Sequence, residues 1–154
     1  MVKVLMVCLG NICRSPLAHG ILESKLPSNS FYVDSAGTAN YHVGDSPDHR
    51  SVAVAKLNGI DISGQRGRQF KVADFDDFDY IFTMDDSNYQ NVIHLARNSQ
   101  DIAKVKPILE VLDQKSYTFV PDPYYGDMSN FQEVFELLND ACDSLSKQLL
   151  NTHL

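Results

Sequence analysis

The first turn of this chain commits it to a topology. Val2 to Val7 is almost continuously apolar, with β-branched residues at Val2 and Val4, the pattern of a strand buried on both faces of a parallel sheet. Cys8-Leu9-Gly10-Asn11-Ile12-Cys13-Arg14 follows at once. Ser15-Pro16 then supplies an N-cap and a proline at the first helical position, so a helix is expected to run to about Lys25. A strand that feeds a helix through a tight loop is the first half of a βα crossover, and such units build α/β domains with parallel sheets.

The rest of the chain keeps that alternation. Pro27 to Ser30 is a turn, and Phe31 to Ser35 reads as a second strand ending at Gly37. A loop over 39–49 leads to a helix near Arg50 to Leu57, stopped by Asn58-Gly59. Tyr80 to Met84 is a third strand with a helix start at Asp85-Asp86-Ser87, and Val105 to Leu109 is a weak fourth. Asp74, Asp76, Asp77 and Asp79, interleaved with Phe75 and Phe78, read as a helical turn and strand entry. The last helix is the clearest element: Phe131, Val134, Phe135, Leu138, Ala141, Cys142, Leu145 and Leu149 keep helical spacing, and Ser129 with Gln132 suits a capping box. At 154 residues the chain is expected to form one domain over 1–154. Its sites should lie beyond the carboxyl ends of the strands.

Bulk properties exclude several classes. A formal charge of −7 argues against nucleic acid as a partner. No stretch approaches the roughly 20 apolar residues of a membrane span, and Met-Val-Lys opens a first strand, not a signal peptide. Three cysteines are an odd count and no disulfide framework, which fits a reducing, cytoplasmic setting. Histidines and cysteines show no metal-ligand spacing. The expectation is therefore a monomer without membrane contact, metal or other cofactor, and any anion site must be a local positive pocket on an acidic protein.

The loop is that pocket's natural place. Its successive N–H groups can curl inward as an anion nest. Gly10 is expected to supply φ > 0 without steric cost, and Asn11 tolerates it. The helix beginning at Ser15 adds its positive dipole end. Such a field favours the thiolate of Cys8, the form that attacks. Arg14, six residues after Cys8, offers a planar charged fork that matches two phosphate oxygens. A lone cysteine at a strand end is commonly a buried apolar residue. The arginine, the glycine and the Ser-Pro closure favour the nucleophile instead. The loop lacks the Gly-Lys-Ser/Thr of a nucleotide-binding loop and the GxGxxG fingerprint.

A nucleophile acting on a phosphomonoester also needs a proton for the leaving oxygen. Asp122 is the candidate, stiffened by Pro123 and followed by Tyr124 and Tyr125, two aromatics suited to flank an aryl group. From spacing alone, Asp-Pro as a simple turn initiator competes equally with that role.

The sequence resembles the low-molecular-weight protein tyrosine phosphatases over nearly its whole length. The resemblance rests on Val7 to Pro16, Asp34-Ser35-Ala36-Gly37-Thr38, Phe78-Asp79-Tyr80-Ile81, Met84-Asp85, Ser87-Asn88 and Asp122-Pro123-Tyr124-Tyr125-Gly126. It implies a three-layer α/β sandwich with a four-stranded parallel sheet, and a two-step reaction. Cys8 would form a cysteinyl-phosphate, held by Arg14 and by the amides of the loop that includes Gly10, Ile12 and Cys13. Asp122 would protonate the phenol and then activate water. Ser15 would hydrogen-bond the Cys8 sulfur, and Asn11 would lock the loop with Ser35 as its partner. Leu9, Tyr41 and Tyr124, with Tyr125, would line the aryl slot. The implied partners are phosphotyrosine proteins, with inorganic phosphate or vanadate as site ligands.

The same resemblance gives Cys13 a protective disulfide with Cys8, against a plain packing role, and makes Tyr124 and Tyr125 candidate phosphorylation sites. Cys142, on the apolar stripe of the last helix, reads as an inert core thiol. One departure stands out: many members carry a histidine near 63–69 that supports the loop asparagine, whereas Ser63 to Gln69 here has none. Arg66 and Arg68 in that segment read as solvated surface charges. Relatives of other activity fit less well. A thioredoxin-coupled arsenate reductase needs further cysteines between Cys13 and Cys142, and arginine phosphatases typically place threonine where Ile12 stands and lack the paired tyrosines. A non-catalytic phosphate-binding module would have no reason to keep both Cys8 and Asp122.

Overall fold

The structure is a computed structural model that describes residues 1–113 and 117–154. Strands β1 (Val2–Cys8), β2 (Phe31–Gly37), β3 (Tyr80–Thr83) and β4 (Val105–Pro107) form one parallel sheet in the order β2-β1-β3-β4. Helices α1 (Arg14–Lys25), α2 (His49–Leu57), the single turn α3 (Asp74–Asp77), α4 (Asp86–His94), α5 (Ser99–Lys104) and α6 (Met128–His153) complete it. The pleat of β1 divides the interior in two. Val4, Met6 and Cys8 face the layer containing Leu17, Ile21, Phe131 and Leu138, while Leu5 and Val7 face Phe75, Ile81 and Val92. Alternate residues of one central strand therefore serve two cores, which is why Val2 to Val7 lacks a polar face.

The chain leaves β1 for β2 on one side and later places β3 on the other. The carboxyl end of β1 is thus the point where strand order reverses, the place where open α/β sheets carry their sites.

Several boundaries move for identifiable reasons. The first helix begins at Arg14, and Ser15 is no cap; it lies buried within the first turn. The Cys13 side chain at its N-cap makes no capping hydrogen bond, which leaves the first amides of α1 continuous with the loop. β2 ends at Gly37 as expected, paired there with Cys8. β4 stops at Pro107, which has no N–H to extend a ladder, and a 3₁₀ turn (Ile108–Val111) takes over. The cap of α6 is Asp127 instead of Ser129: its carboxylate accepts from the Ser129 amide at 2.9 Å, and Asn130 returns an acceptor to the Asp127 amide at 3.0 Å. A charged acceptor outcompetes the hydroxyl, which itself donates to Asp127. The apolar stripe of α6 is buried as its periodicity predicts. Among the described residues no helix is long and apolar enough to cross a membrane.

Candidate active site

Cys8 ends β1 and Arg14 opens α1, so the seven-residue loop is held at both ends by regular structure. Asn11 sits at φ 57°, in the left-handed region it was expected to tolerate. Gly10 does not have positive φ, contrary to expectation. Its value is its size: a Cβ there would stand 3.1 Å from Cδ2 of His42.

A buried chain of polar groups runs behind the sulfur. The Asn11 amide donates to Ser15 Oγ at 2.8 Å, and Ser15 Oγ lies 3.0 Å from Cys8 Sγ. Because the Ser15 oxygen already accepts from Asn11, its own hydrogen is free for the sulfur, the other acceptor, the Ala36 carbonyl, being farther at 3.5 Å. The other end of the Asn11 amide accepts from the backbone N–H of Arg68 at 3.1 Å. That backbone group supports Asn11 where a histidine was missed. Ser35 is not its partner; its hydroxyl meets His19 Nδ1 at 3.1 Å.

Arg68 is likewise no solvated charge. It is half-buried and forms a fork with Asp74 at 3.0 and 3.1 Å and a bond to Asp34 at 3.1 Å. This pairing fixes the backbone that Asn11 needs. Arg66 caps carbonyls of its own segment, Ser63 and Gln65, and stays exposed. The aspartates around Asp74 form the expected helical turn. Among the described residues, no three histidine, cysteine or acidic side chains converge as a metal site.

The Arg14 side chain is only 3% exposed. Nη1 donates to Asp85 Oδ2 at 2.6 Å and to the Val120 carbonyl at 3.1 Å, while Nη2 lies 3.7 Å from Asp122 Oδ2. Burial works against its charge, but Cys8, Asp85 and Asp122 more than offset this and hold the proton more firmly than usual. Asp85, read from the sequence as a helix start and as part of the Met84-Asp85 motif but given no role in the site, is Arg14's anchor. The missed signal was its position just past β3, the strand that pairs with β1. It also caps α4, accepting from the Asn88 amide at 2.8 Å, so Arg14 is anchored to a group that cannot drift.

Cys8, Arg14 and Asp122 open onto one pocket of about 360 Å³. Leu9, Gly10, Ile12 and Cys13 line it from the loop, and Tyr41, Tyr124 and Tyr125 supply its aromatic lining. His42, not anticipated, completes the lining beside Gly10 and contacts Asp45 at 3.0 Å. Tyr125 is 96% exposed, so of the paired tyrosines it is Tyr124, 39% exposed, that presents a ring more firmly to the slot. Asn11, Ser15 and Ser35 are buried behind it. Burial, then the charges of Asp48, Cys8 and Asp122, push the Cys13 thiol far up against a pull from Arg50. Cys142 is fully buried on α6, its thiol pushed up to about 12 by desolvation.

Comparison with known proteins agrees with this geometry. A family model for low molecular weight phosphotyrosine protein phosphatase matches residues 3–153. The low molecular weight phosphotyrosine protein phosphatase of Dictyostelium discoideum is 41% identical, over 96% of this chain and 93% of its own length. That of Saccharomyces cerevisiae is 38% identical, over 99% and 96%. A crystal structure of the protein tyrosine phosphatase from Entamoeba histolytica, with Hepes in its active site, superposes with a TM-score of 0.94 at 36% identity and covers both chains completely. The chain belongs to the low molecular weight phosphotyrosine protein phosphatase family.

Proposed function

We propose that this chain carries out its family's reaction, hydrolysis of phosphotyrosine, through a phosphocysteine on Cys8. The observation that carries the reading is the convergence of Cys8, Arg14 and Asp122 on one pocket with an aromatic lining. In the first step the Cys8 sulfur attacks phosphorus, and the tyrosyl oxygen leaves with a proton from Asp122. Oδ1 of Asp122 is held by the Tyr124 amide at 3.1 Å, so Oδ2 is the oxygen that delivers it. In the second step Asp122, now ionised, takes a proton from water as it attacks the phosphocysteine, and inorganic phosphate departs.

Arg14 and the loop amides hold the three equatorial oxygens, where charge accumulates. The Ser15 hydroxyl stabilises the sulfur each time it carries charge. Leu9, Tyr41 and Tyr124 form a slot for a phenol ring, which favours aryl over alkyl esters. The whole chain acts as one catalytic domain on phosphotyrosine proteins in the cytoplasm, as a monomer without nucleic acid, and binds phosphate or vanadate at the loop. The site residues themselves supply every group this route requires, with no cofactor.

Cys8→Ser should abolish turnover of aryl phosphates while retaining phosphate binding, measured by steady-state kinetics and calorimetry. Turnover persisting in that variant removes Cys8 as nucleophile. Asp122→Ala should lower kcat/KM for phenyl phosphate about 10²-fold or more, the usual range of general acid catalysis, yet hardly affect dinitrophenyl phosphate, whose phenol departs unprotonated. Equal losses would exclude it as the acid.

A further inference from the structure

Arg50, at the start of α2, reaches across to the loop that carries Asp122. Its Nε and Nη2 clasp both oxygens of Asp48 at 3.0 and 2.8 Å. Nη2 also donates to the Tyr124 carbonyl and Nη1 to the Gly126 carbonyl, each at 2.9 Å. The guanidinium carbon, Cζ, lies 4.4 Å from the centre of the Phe131 ring on α6. Each nitrogen of the fork thus donates within the protein, and four of its five N–H groups are engaged.

The partners of this fork join the two halves of the site. Asp48 caps α2, its carboxylate is nearly buried, and its backbone N–H donates to the Ile12 carbonyl in the phosphate loop at 2.8 Å. On the far side, Tyr124 accepts from Arg50 through its carbonyl and donates to Asp122 Oδ1 through its amide. Pro123 and Gly126 close that segment as a turn at 2.8 Å. A continuous path of hydrogen bonds therefore runs from Ile12 through Asp48, Arg50 and Tyr124 to the Asp122 carboxyl. Arg50 makes four such bonds, two of them to the two oxygens of one carboxylate, which a planar fork with five donors allows and the three donors of an ammonium do not.

We propose that Arg50, clasped by Asp48, is the positioning residue that sets Asp122 at the height of the leaving oxygen above the phosphate loop. The inference rests on Asp122 as the leaving-group acid and adds what holds it there. Loss of Arg50 leaves the loop, Cys8 and Arg14 in place but frees the turn that carries the acid. Displacement of a reacting group by about 1 Å can cost up to about 10²-fold in rate. The loss should fall on protonation alone.

The experiment compares kcat/KM for phenyl phosphate and dinitrophenyl phosphate in the wild type, Arg50→Met, Arg50→Lys, Asp122→Ala and the Arg50→Met/Asp122→Ala pair. Both Arg50 variants should lose about tenfold or more on phenyl phosphate and less than about threefold on dinitrophenyl phosphate. In the Asp122→Ala background, Arg50→Met should add less than about twofold on either ester. Taking the ratio of two esters on one preparation cancels any fraction that has failed to fold. Equal losses on the two esters, or a full additional loss in the double variant, overturn the positioning role. Equal losses in Asp122→Ala with Arg50 intact overturn the acid assignment itself, and the inference with it.

Discussion

Asn11 shows how much of a loop's conformation one side chain can hold. A non-glycine residue in the left-handed region carries a cost of about 1 kcal/mol or more, and Asn11 is buried as well. Its amide offsets that cost by joining Ser15 Oγ to the Arg68 N–H. Asn11→Gly removes the strain with the bonds, whereas Asn11→Ala removes the bonds and keeps the strain. Both should therefore lose activity on aryl phosphates to a similar degree, while the alanine variant melts at the lower temperature. A glycine variant of full activity, in paired melting and kcat/KM measurements, would show that the amide bonds do not matter. The residue type was legible in the sequence because few side chains accept positive φ. Its partner was not, because the partner is a backbone amide 57 positions away, delivered by the pairing of Arg68 with Asp34 and Asp74. The same limit applies to Ser15. As a residue before proline at a helix start it reads as a cap, and only the fold turns its hydroxyl toward sulfur.

At the scale of elements, β2 matters to the site through its end and not its middle. Gly37 lies beside Cys8 in the sheet, and a Cβ on it would stand 2.7 Å from the Leu9 carbonyl oxygen and 3.1 Å from the Asn11 nitrogen. Both are backbone atoms of the phosphate loop, which cannot swing aside as a flexible side chain can. Its own backbone is tied to the Arg68 carbonyl at 2.8 Å and to the Phe70 amide at 2.7 Å, so the strand end cannot retreat. Gly37→Ala should raise the inhibition constant of inorganic phosphate and lower kcat/KM about tenfold or more, since loop amides lose their aim. Gly64→Ala, where the added methyl meets open space, is the control and should match the wild type. An unchanged phosphate constant in Gly37→Ala would mean the loop is not braced by β2. Strands and helices were readable where periodicity was long, as in α6 and β1. Caps and short elements were not: Asp127 displaced Ser129 by charge, and β4 ended at Pro107 on backbone chemistry that a run of apolar residues conceals.

At the scale of the whole molecule, ionisable groups confine stability to a window. Hydrogen bonds from Arg50 hold Asp48 below its ordinary value near 3.8, and Glu23 is lowered chiefly by its hydrogen bond to His19. Carboxyl groups lowered in the folded state contribute stability that is complete above their unfolded values. That stability drains as pH falls through the lowered ones. On the alkaline side the logic inverts. Burial raises Cys142 from an ordinary 9.0 to about 12, so above pH 9 the unfolded thiol releases a proton that the folded one keeps. Each pH unit beyond 9 then costs about 1.4 kcal/mol per such thiol until the folded group titrates as well. Melting temperature should be level between about pH 5 and 9 and decline on both sides. Cys142→Ala isolates one alkaline contribution. The variant loses some packing and should melt below the wild type at pH 8, both in the presence of reductant. The gap should narrow by a few degrees by about pH 10.5, because a chain of this length shifts roughly 2–4 °C per kcal/mol. A gap that stays constant over that range would mean the buried thiol takes no part in alkaline unfolding, and that the limb belongs to Cys13 beside the site or to other groups.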